Sequence, residues 1–284
     1  MSSPLTDLFD MSPWPEHLLE QLAQAPAVLV TVAHTQGSVP RELGTWMGVF
    51  ADRVVGTIGG GQLEHQAMAQ ARRLLQDPQL PASPQRLALG PSLGQCCGGV
   101  VMLNFERLHT SDSARLKQRL RTPLAPVALF GGGHVGHALA RLLLTLPYAL
   151  TWIDSREGVF PTGLPARVHC EHAEPVQSAV PDLAPGSEVL IMSFSHAEDL
   201  DIVAACLKRQ RAQGDLAFVG LIGSHTKWAS FSHRLLARGF SPDELAQVSC
   251  PIGLPGLVGK EPEVIAVAVA AQLLMRRTPM HIKS

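Results

Sequence analysis

Residues 126–157 read PVALFGGGHVGHALARLLLTLPYALTWIDSRE, and this stretch decides the fold of the C-terminal half. An apolar run at 127–130 enters Gly131, Gly133 and Gly136 at G-x-G-x-x-G spacing. A helical stripe of Val135, Leu139, Leu142, Leu143 and Leu146 follows, and a second apolar run at 149–153 ends on Asp154. Strand, glycine turn, helix, strand and acid in that order predict a Rossmann-type unit. Gly131 permits the tight turn, Gly133 lets the backbone approach a pyrophosphate, and Gly136 lets the helix pack closely on the strand. The helix N-terminus offers free N–H groups and a positive dipole end. His134 is placed to face a bound phosphate, and Asp154 to accept from ribose hydroxyls.

Downstream, apolar runs at 167–170, 188–194 and 217–222 alternate with helical patterns at 198–213, 226–238 and 262–276. Strands and helices of these lengths predict a parallel sheet covered on both faces. Ser195 and His196 follow the 188–194 strand at the carboxyl edge of that sheet, which makes them candidate lining residues.

Upstream, residues 13–24 have the pattern of an amphipathic helix, with Leu18, Leu19 and Leu22 on one face. Strands are expected at 27–33 and 54–58. A helix at 62–76 would carry Leu63, Ala67, Ala71 and Leu74, and Asp77-Pro78 would stop it. RLALG (86–90) and GVVMLNFERL (99–108) read as paired strands. The polar, basic, proline-terminated residues 110–126 read as the domain join. The expected fold class is therefore α/β: a C-terminal Rossmann-like doubly wound parallel sheet at 122–284, preceded by an N-terminal α+β domain at 1–121.

Bulk properties exclude several functions. With 46% hydrophobic and 17% charged residues the chain has the composition of a globular protein. Its 23 basic and 24 acidic residues leave a net charge of −1, and neither half carries the basic excess that nucleic acid or anionic lipid would attract. The start MSSPLTDLFD has no secretory pattern, and the apolar run 264–271 is too short to cross a bilayer. An odd count of five cysteines points to reduced thiols and a cytoplasmic setting.

Three N-terminal loops stand out. The first, GSVPRELG (37–44), presents Arg41, which could hold a phosphate or carboxylate bidentately. The plainer alternative is an ordinary hairpin with Arg41 paired to Glu42 or a neighbour, and the residues alone favour it. In GTIGGGQLE (56–64), Gly59, Gly60 and Gly61 sit between a strand and a helix, a layout that brings N–H groups near an anion. It lacks the Lys-Ser/Thr of a P-loop, and Glu64 in the first turn is explained by the helix dipole alone. The third, LGPSLGQCCGGVV (89–101), sets Gln95, Cys96 and Cys97 among glycines. Glycine gives thiols no packing, and exposed N–H groups favour the nucleophilic, metal-binding thiolate, so one or both cysteines are read as functional. Cys170 and Cys206, in apolar surroundings, read as small hydrophobes.

Taken together with LFGGGHVGHALARLL, WIDSRE, FVGLIGSHTKW and PIGLPGLVGKEPEVIAVAVAAQLL, these loops resemble the xanthine dehydrogenase accessory protein family. These are molybdenum-cofactor chaperones related to the carbon monoxide dehydrogenase accessory proteins. The matching stretches stay in order over about residues 30–275. The resemblance implies a chaperone without turnover of its own. It would bind molybdopterin, protect it, support its sulfuration by a cysteine desulfurase and pass it to apo xanthine dehydrogenase. It maps the family's glycine-rich cysteine loop onto Gln95, Cys96, Cys97, Gly98 and Gly99, with Cys96 and Cys97 as candidate metal ligands. Arg41, the 59–61 turn and the Rossmann turn would add anion contacts. At the C-terminal loop, Pro255 stands where relatives carry an acid, so no ligand role is carried over there. A homodimer stays open. The rival reading is a NAD(P)-dependent oxidoreductase or nucleotide-sensing regulator using the Rossmann turn. There Asp154 would favour NAD over NADP, and Arg156 would weaken that preference.

Overall fold

The computed structural model describes residues 14–39, 41–89, 98–120, 124–165 and 167–277. The chain divides into two compact units, Ser12–Thr122 and Pro123–Ser284.

The N-terminal unit is built on a five-stranded antiparallel sheet. Its elements are α1 (Trp14–Leu22), β1 (Ala27–Gln36), β2 (Trp46–Val49), β3 (Val54–Gly56), α2 (Gly61–Gln76), β4 (Gln85–Ala88), β5 (Val100–Leu108) and α3 (Ser113–Arg119). The strand order is β3-β2-β1-β5-β4. β1 is central and apolar on both faces because both faces are covered. Val28, Val30 and Val32 meet Leu63, Ala67, Ala71 and Leu74 of α2, the four residues the helical spacing singles out. Ala27 and Leu29 face Leu18 and Leu22 of α1 and Leu116 of α3. Gly48 in β2 is imposed by packing: a Cβ there would lie 2.4 Å from Leu18 Cδ1.

The two units divide at Thr122/Pro123, inside the stretch 110–126 read as the join, and part of that stretch is helical. Residues 110–119 form a 3₁₀ turn and α3, with Leu116 fully buried and Glu106 bridging Arg115 and Arg119. Polar composition hid a helix with a single buried anchor.

The C-terminal unit comprises β6 (Ala125–Phe130), α4 (His134–Leu143), β7 (Tyr148–Asp154), β8 (Val168–His172), β9 (Glu188–Ile191), α5 (His196–Gln213), β10 (Phe218–Leu221), α6 (His225–Ala237), α7 (Pro242–Leu245), β11 (Val248–Ser249) and α8 (Pro262–Arg277). Its six strands are parallel in the order β11-β10-β9-β6-β7-β8, the doubly wound arrangement expected. Alternation along β6 sorts the two cores. Val127 and Leu129 face α4 and α8 through Leu139, Leu143, Val269 and Leu273. Ala128 and Phe130 face α5 and α6 through Leu200, Val203, Phe231 and Leu235. The order reverses between β6 and β9, which makes their carboxyl ends the switch point where open α/β sheets bind ligands.

Three further elements were not legible in the sequence, the 3₁₀ run Val176–Asp182, α7 and β11. The run expected at 188–194 is strand to Ile191; Met192 N–H still donates to the Phe130 carbonyl of β6 at 2.9 Å, and Ser193 N–H then turns to Asp199.

Candidate functional site

The Rossmann turn is held by contacts that only glycine permits. Gly131 adopts φ +128°, and a Cβ there would lie 2.0 Å from the Met192 carbonyl oxygen, so β6 can leave the sheet beside β9 only without a side chain. At Gly136 a Cβ would lie 2.0 Å from the Gly131 carbonyl oxygen. That carbonyl also accepts from Trp152 Nε1 at 3.0 Å, which fixes the turn against β7. Gly133 is different. It is exposed, caps α4 at φ −83°, and has nothing within 4 Å of where a Cβ would point. Gly131 and Gly136 are thus structural, while Gly133 opens onto space from which a ligand can approach. His134, the first residue of α4, is exposed beside it.

Asp154 does not stand free as a ribose acceptor. Its Oδ2 accepts from Gly132 N–H and from Arg156 Nη2 at 2.9 Å; its Oδ1 accepts from Arg156 N–H at 2.8 Å and Arg156 Nε at 2.9 Å. Burial alone would raise this carboxyl, but the hydrogen bonds from Arg156 and the Gly132 and Arg156 N–H groups hold it below its ordinary 3.8. A depressed folded value stabilises the fold above 3.8 and loses that contribution as pH falls through the folded value. The stability gap between wild type and Asp154→Asn is therefore expected to narrow between about pH 6 and about pH 3, as read by thermal unfolding. A constant gap would mean that the carboxylate's charge is not what matters.

Beside the turn lies a second buried network, which sequence reasoning missed. Asp199, 2% exposed, accepts at Oδ1 from Ser193 N–H at 2.9 Å and Ser193 Oγ at 2.7 Å, and pairs at Oδ2 with Lys227 Nζ at 2.6 Å. Lys227 also donates to the Ile222 carbonyl at 2.8 Å, tying the loop after β9 to the loop after β10. Ser195 is an N-cap: its hydroxyl accepts from Glu198 N–H at 3.2 Å. The S-x-x-E spacing of Ser195 and Glu198 was available in the sequence to signal this. His196 packs edge-on against Phe231.

In the N-terminal unit, topology gathers what the sequence scatters. β1 ends at Gln36 opposite Val100, where β5 begins, and β4 ends at Ala88 opposite the same residue. β2 begins at Trp46, and Met47 pairs with Gly56, where β3 ends. The Arg41 loop, the 59–61 turn and the described residues flanking the cysteine loop therefore all emerge at one end of this sheet. Two of them touch: a Cβ on Gly99 would lie 2.4 Å from the Ser38 carbonyl oxygen. Arg41 is exposed and has no hydrogen-bond or ion-pair partner among the described residues, so the Glu42 pairing is not formed. Gln95, Cys96 and Cys97 lie outside the described residues.

The 59–61 turn already has its anion. Glu64 Oε2 accepts from Thr57 Oγ1 at 2.5 Å and from Ile58 and Gly60 N–H at 3.1 Å, while Gly59 N–H donates to Thr57 Oγ1. Gly59, Gly60 and Gly61, all at positive φ, shape the turn around that carboxylate. Removing a group that caps several N–H donors costs about 1–2 kcal/mol, and Glu64→Ala is expected to lower N-terminal-unit stability by that amount in urea titrations. A loss below about 0.3 kcal/mol would show that water replaces the carboxylate without penalty.

At the remaining cysteines burial disfavours the thiolate. Burial pushes Cys206 up to about 12 and Cys250 up to about 11, and raises Cys170. Among the described residues no group of three or more His, Cys, Asp or Glu could hold a metal ion, and no helix is long and apolar enough to cross a membrane.

Comparison with known proteins adds four findings. A family model described as the XdhC Rossmann domain matches residues 127–273, and one described as the XdhC and CoxI family matches residues 21–80. The Escherichia coli K12 protein YqeB, described as uncharacterized, is 26% identical over 254 residues, which cover 88% of this chain but only 43% of that protein. The chain thus spans less than half the length of this curated relative. A crystal structure from Bacillus halodurans, described as a xanthine dehydrogenase, shares the fold at a TM-score of 0.75 and 21% identity, over 95% of this chain and 98% of that one.

Proposed function

The chain belongs to the XdhC family, and from that premise we propose that it is an accessory protein of xanthine dehydrogenase maturation that binds the molybdenum cofactor. In this reading it shields the cofactor, supports its sulfuration by a cysteine desulfurase and delivers it to the apoenzyme. The observation that carries the reading is the convergence of the Arg41 loop and the stem of the cysteine loop at one sheet end, where Arg41 is exposed and has no hydrogen-bond or ion-pair partner among the described residues.

The two glycine turns differ in how they suit such a group. The Gly133 turn suits an anionic cofactor, because its helix N-terminus opens onto free space. The 59–61 turn does not, because Glu64 fills it, and that part of the expected cofactor contact set is withdrawn. In the N-terminal unit the residues proposed to hold the cofactor are Arg41, Gln95, Cys96 and Cys97; taken by itself, the C-terminal unit offers Gly133 and His134 to an anion. When bound, the group supplies a dithiolene-held molybdenum centre at which an oxo ligand is exchanged for sulfur. The protein's part is to present soft thiolates and a guanidinium that pairs with the anionic group. The rival nicotinamide reading loses its ribose acceptor, since Asp154 is already engaged.

The test is retention. Purified protein is loaded with molybdenum cofactor, desalted, and the bound pterin is quantified by fluorescence after oxidation. Wild type is expected to retain it, and Cys96→Ala, Cys97→Ala or the double variant to release it. Retention by all three variants would remove the thiol-ligand role, and no retention by wild type would remove cofactor binding altogether.

A further inference from the structure

The tip of β7 presents a cation where its sequence promises an anion. We infer that Arg156, backed by the Phe194 ring, is the residue through which the Rossmann turn selects a ligand carrying a phosphate monoester on a flat heterocycle. Asp154 is then a positioning residue. The inference rests on the reading above that the Gly131–Gly136 turn takes an anionic cofactor, and it names what that site recognises.

Hydrogen-bond capacity carries the argument. A carboxylate offers about four acceptor positions, and Asp154 fills them with Gly132 N–H, Arg156 N–H and the two prongs of the Arg156 fork. Its side chain is 1% exposed, so ribose hydroxyls have neither a lone pair nor a path to it. Arg156 has the opposite balance. Only two of its five N–H groups go to Asp154, and its side chain is 35% exposed. Its Cζ lies 4.7 Å from the centre of the Phe194 ring, which is itself 66% exposed. A large exposed aromatic at the switch point has no packing role of its own here. It stiffens the guanidinium and leaves further ring surface for a base or pterin. A guanidinium locked on one edge by a carboxylate is pre-organised to take phosphate oxygens on its other edges.

Charge does not oppose this. Arg156 neutralises Asp154, so the carboxylate no longer repels a 2′-phosphate. Among the described residues Glu198 is another acid that acts on Arg156; its Oε1 accepts from Ser155 Oγ at 2.6 Å, and it sits in the first turn of α5, where the helix dipole offsets it. The phosphate monoester has two possible sources, the 2′-phosphate of a nucleotide or the side-chain phosphate of a pterin.

The intact protein is titrated with two matched pairs. One pair is 2′,5′-ADP against 5′-ADP. The other is the oxidised fluorescent pterin derived from the molybdenum cofactor, against the same pterin after phosphatase treatment. In at least one pair the member with the extra phosphate is expected to bind about tenfold tighter, and the pair that shows the ratio identifies the source. Arg156→Ala should bring the ratio to about one, Arg156→Lys should restore part of it, and Phe194→Ala should weaken both members alike by about fivefold. Partial rescue by lysine separates recognition from mere support of Asp154. Phe194, being exposed, gives a variant whose folding is not at stake. A ratio near one in both pairs, no binding of any probe, a ratio that survives Arg156→Ala, or unchanged affinity in Phe194→Ala overturns the inference. Cofactor retention without any phosphate ratio sinks this inference and leaves the accessory reading standing; a clear ratio without retention does the reverse.

Discussion

Gly131→Ala is expected to unfold or nearly unfold the C-terminal unit. Two costs coincide at this position. The residue sits at φ +128°, which an L side chain rarely adopts, at a price of about 1–3 kcal/mol. Its new Cβ would also lie 2.0 Å from the Met192 carbonyl oxygen and 2.7 Å from the carbonyl carbon. Both are backbone atoms beside a central strand, so relief requires β6 and β9 to move apart, which adds a further cost of about 1–3 kcal/mol. A combined loss on the order of 2–6 kcal/mol is a large share of a typical domain's stability. Segment-resolved hydrogen exchange isolates the unit at 123–284, and its protection is expected to collapse while the N-terminal sheet keeps its own. Gly133→Ala is the control. With φ −83° and nothing within 4 Å, it should shift stability by less than about 1 kcal/mol. If the two alanines behaved alike, the distinction between a structural and a ligand-facing glycine would fall.

Asp199→Ala should be the next most damaging change. It leaves Lys227, whose side chain is 11% exposed, without its counter-charge and with only the Ile222 carbonyl, and it removes the acceptor of Ser193 N–H, while the Ser193 hydroxyl keeps the Ser195 carbonyl at 3.1 Å. Breaking a buried pair by removing one partner costs on the order of 3–5 kcal/mol, because the remaining charge stays desolvated. Lys227→Met removes that orphan charge and leaves Asp199 with its Ser193 contacts, so the double variant Asp199→Ala/Lys227→Met is expected to be less damaged than the sum of the singles. The coupling should be about 1–3 kcal/mol in a double-mutant cycle by denaturant titration. Strict additivity would mean that the 2.6 Å pair contributes little beyond its separate contacts.

Much of the fold was legible because local pattern and burial agree. The spacing of Leu63, Ala67, Ala71 and Leu74 places one face of α2, and all four are buried. The apolar runs of the C-terminal half give a parallel sheet because helices cover both its faces. Short polar elements escaped. α3 has one buried anchor, Leu116, and seven residues show no period.

The candidate site was only half legible. Residue types at fixed spacing identify a glycine turn, but spacing does not say which hydrogen bonds are already made. In the sequence the 59–61 turn looks open to an anion and Asp154 to a ribose; both turn out to be engaged, the turn by Glu64 of its own helix start and Asp154 by Arg156.

By itself, then, the sequence determined the Rossmann unit at 126–157 and the burial of the α2 face, since these rest on periodicity and glycine spacing, and it carried the ordered motifs and the family-model matches that give the family. Tertiary structure alone decided three things: that the Arg41 loop meets Gly98 and Gly99, that Asp199 finds Lys227 twenty-eight residues away, and that Asp154 is turned inward by Arg156. Each depends on which donors and acceptors the fold brings within about 3 Å, and a one-dimensional pattern does not carry that.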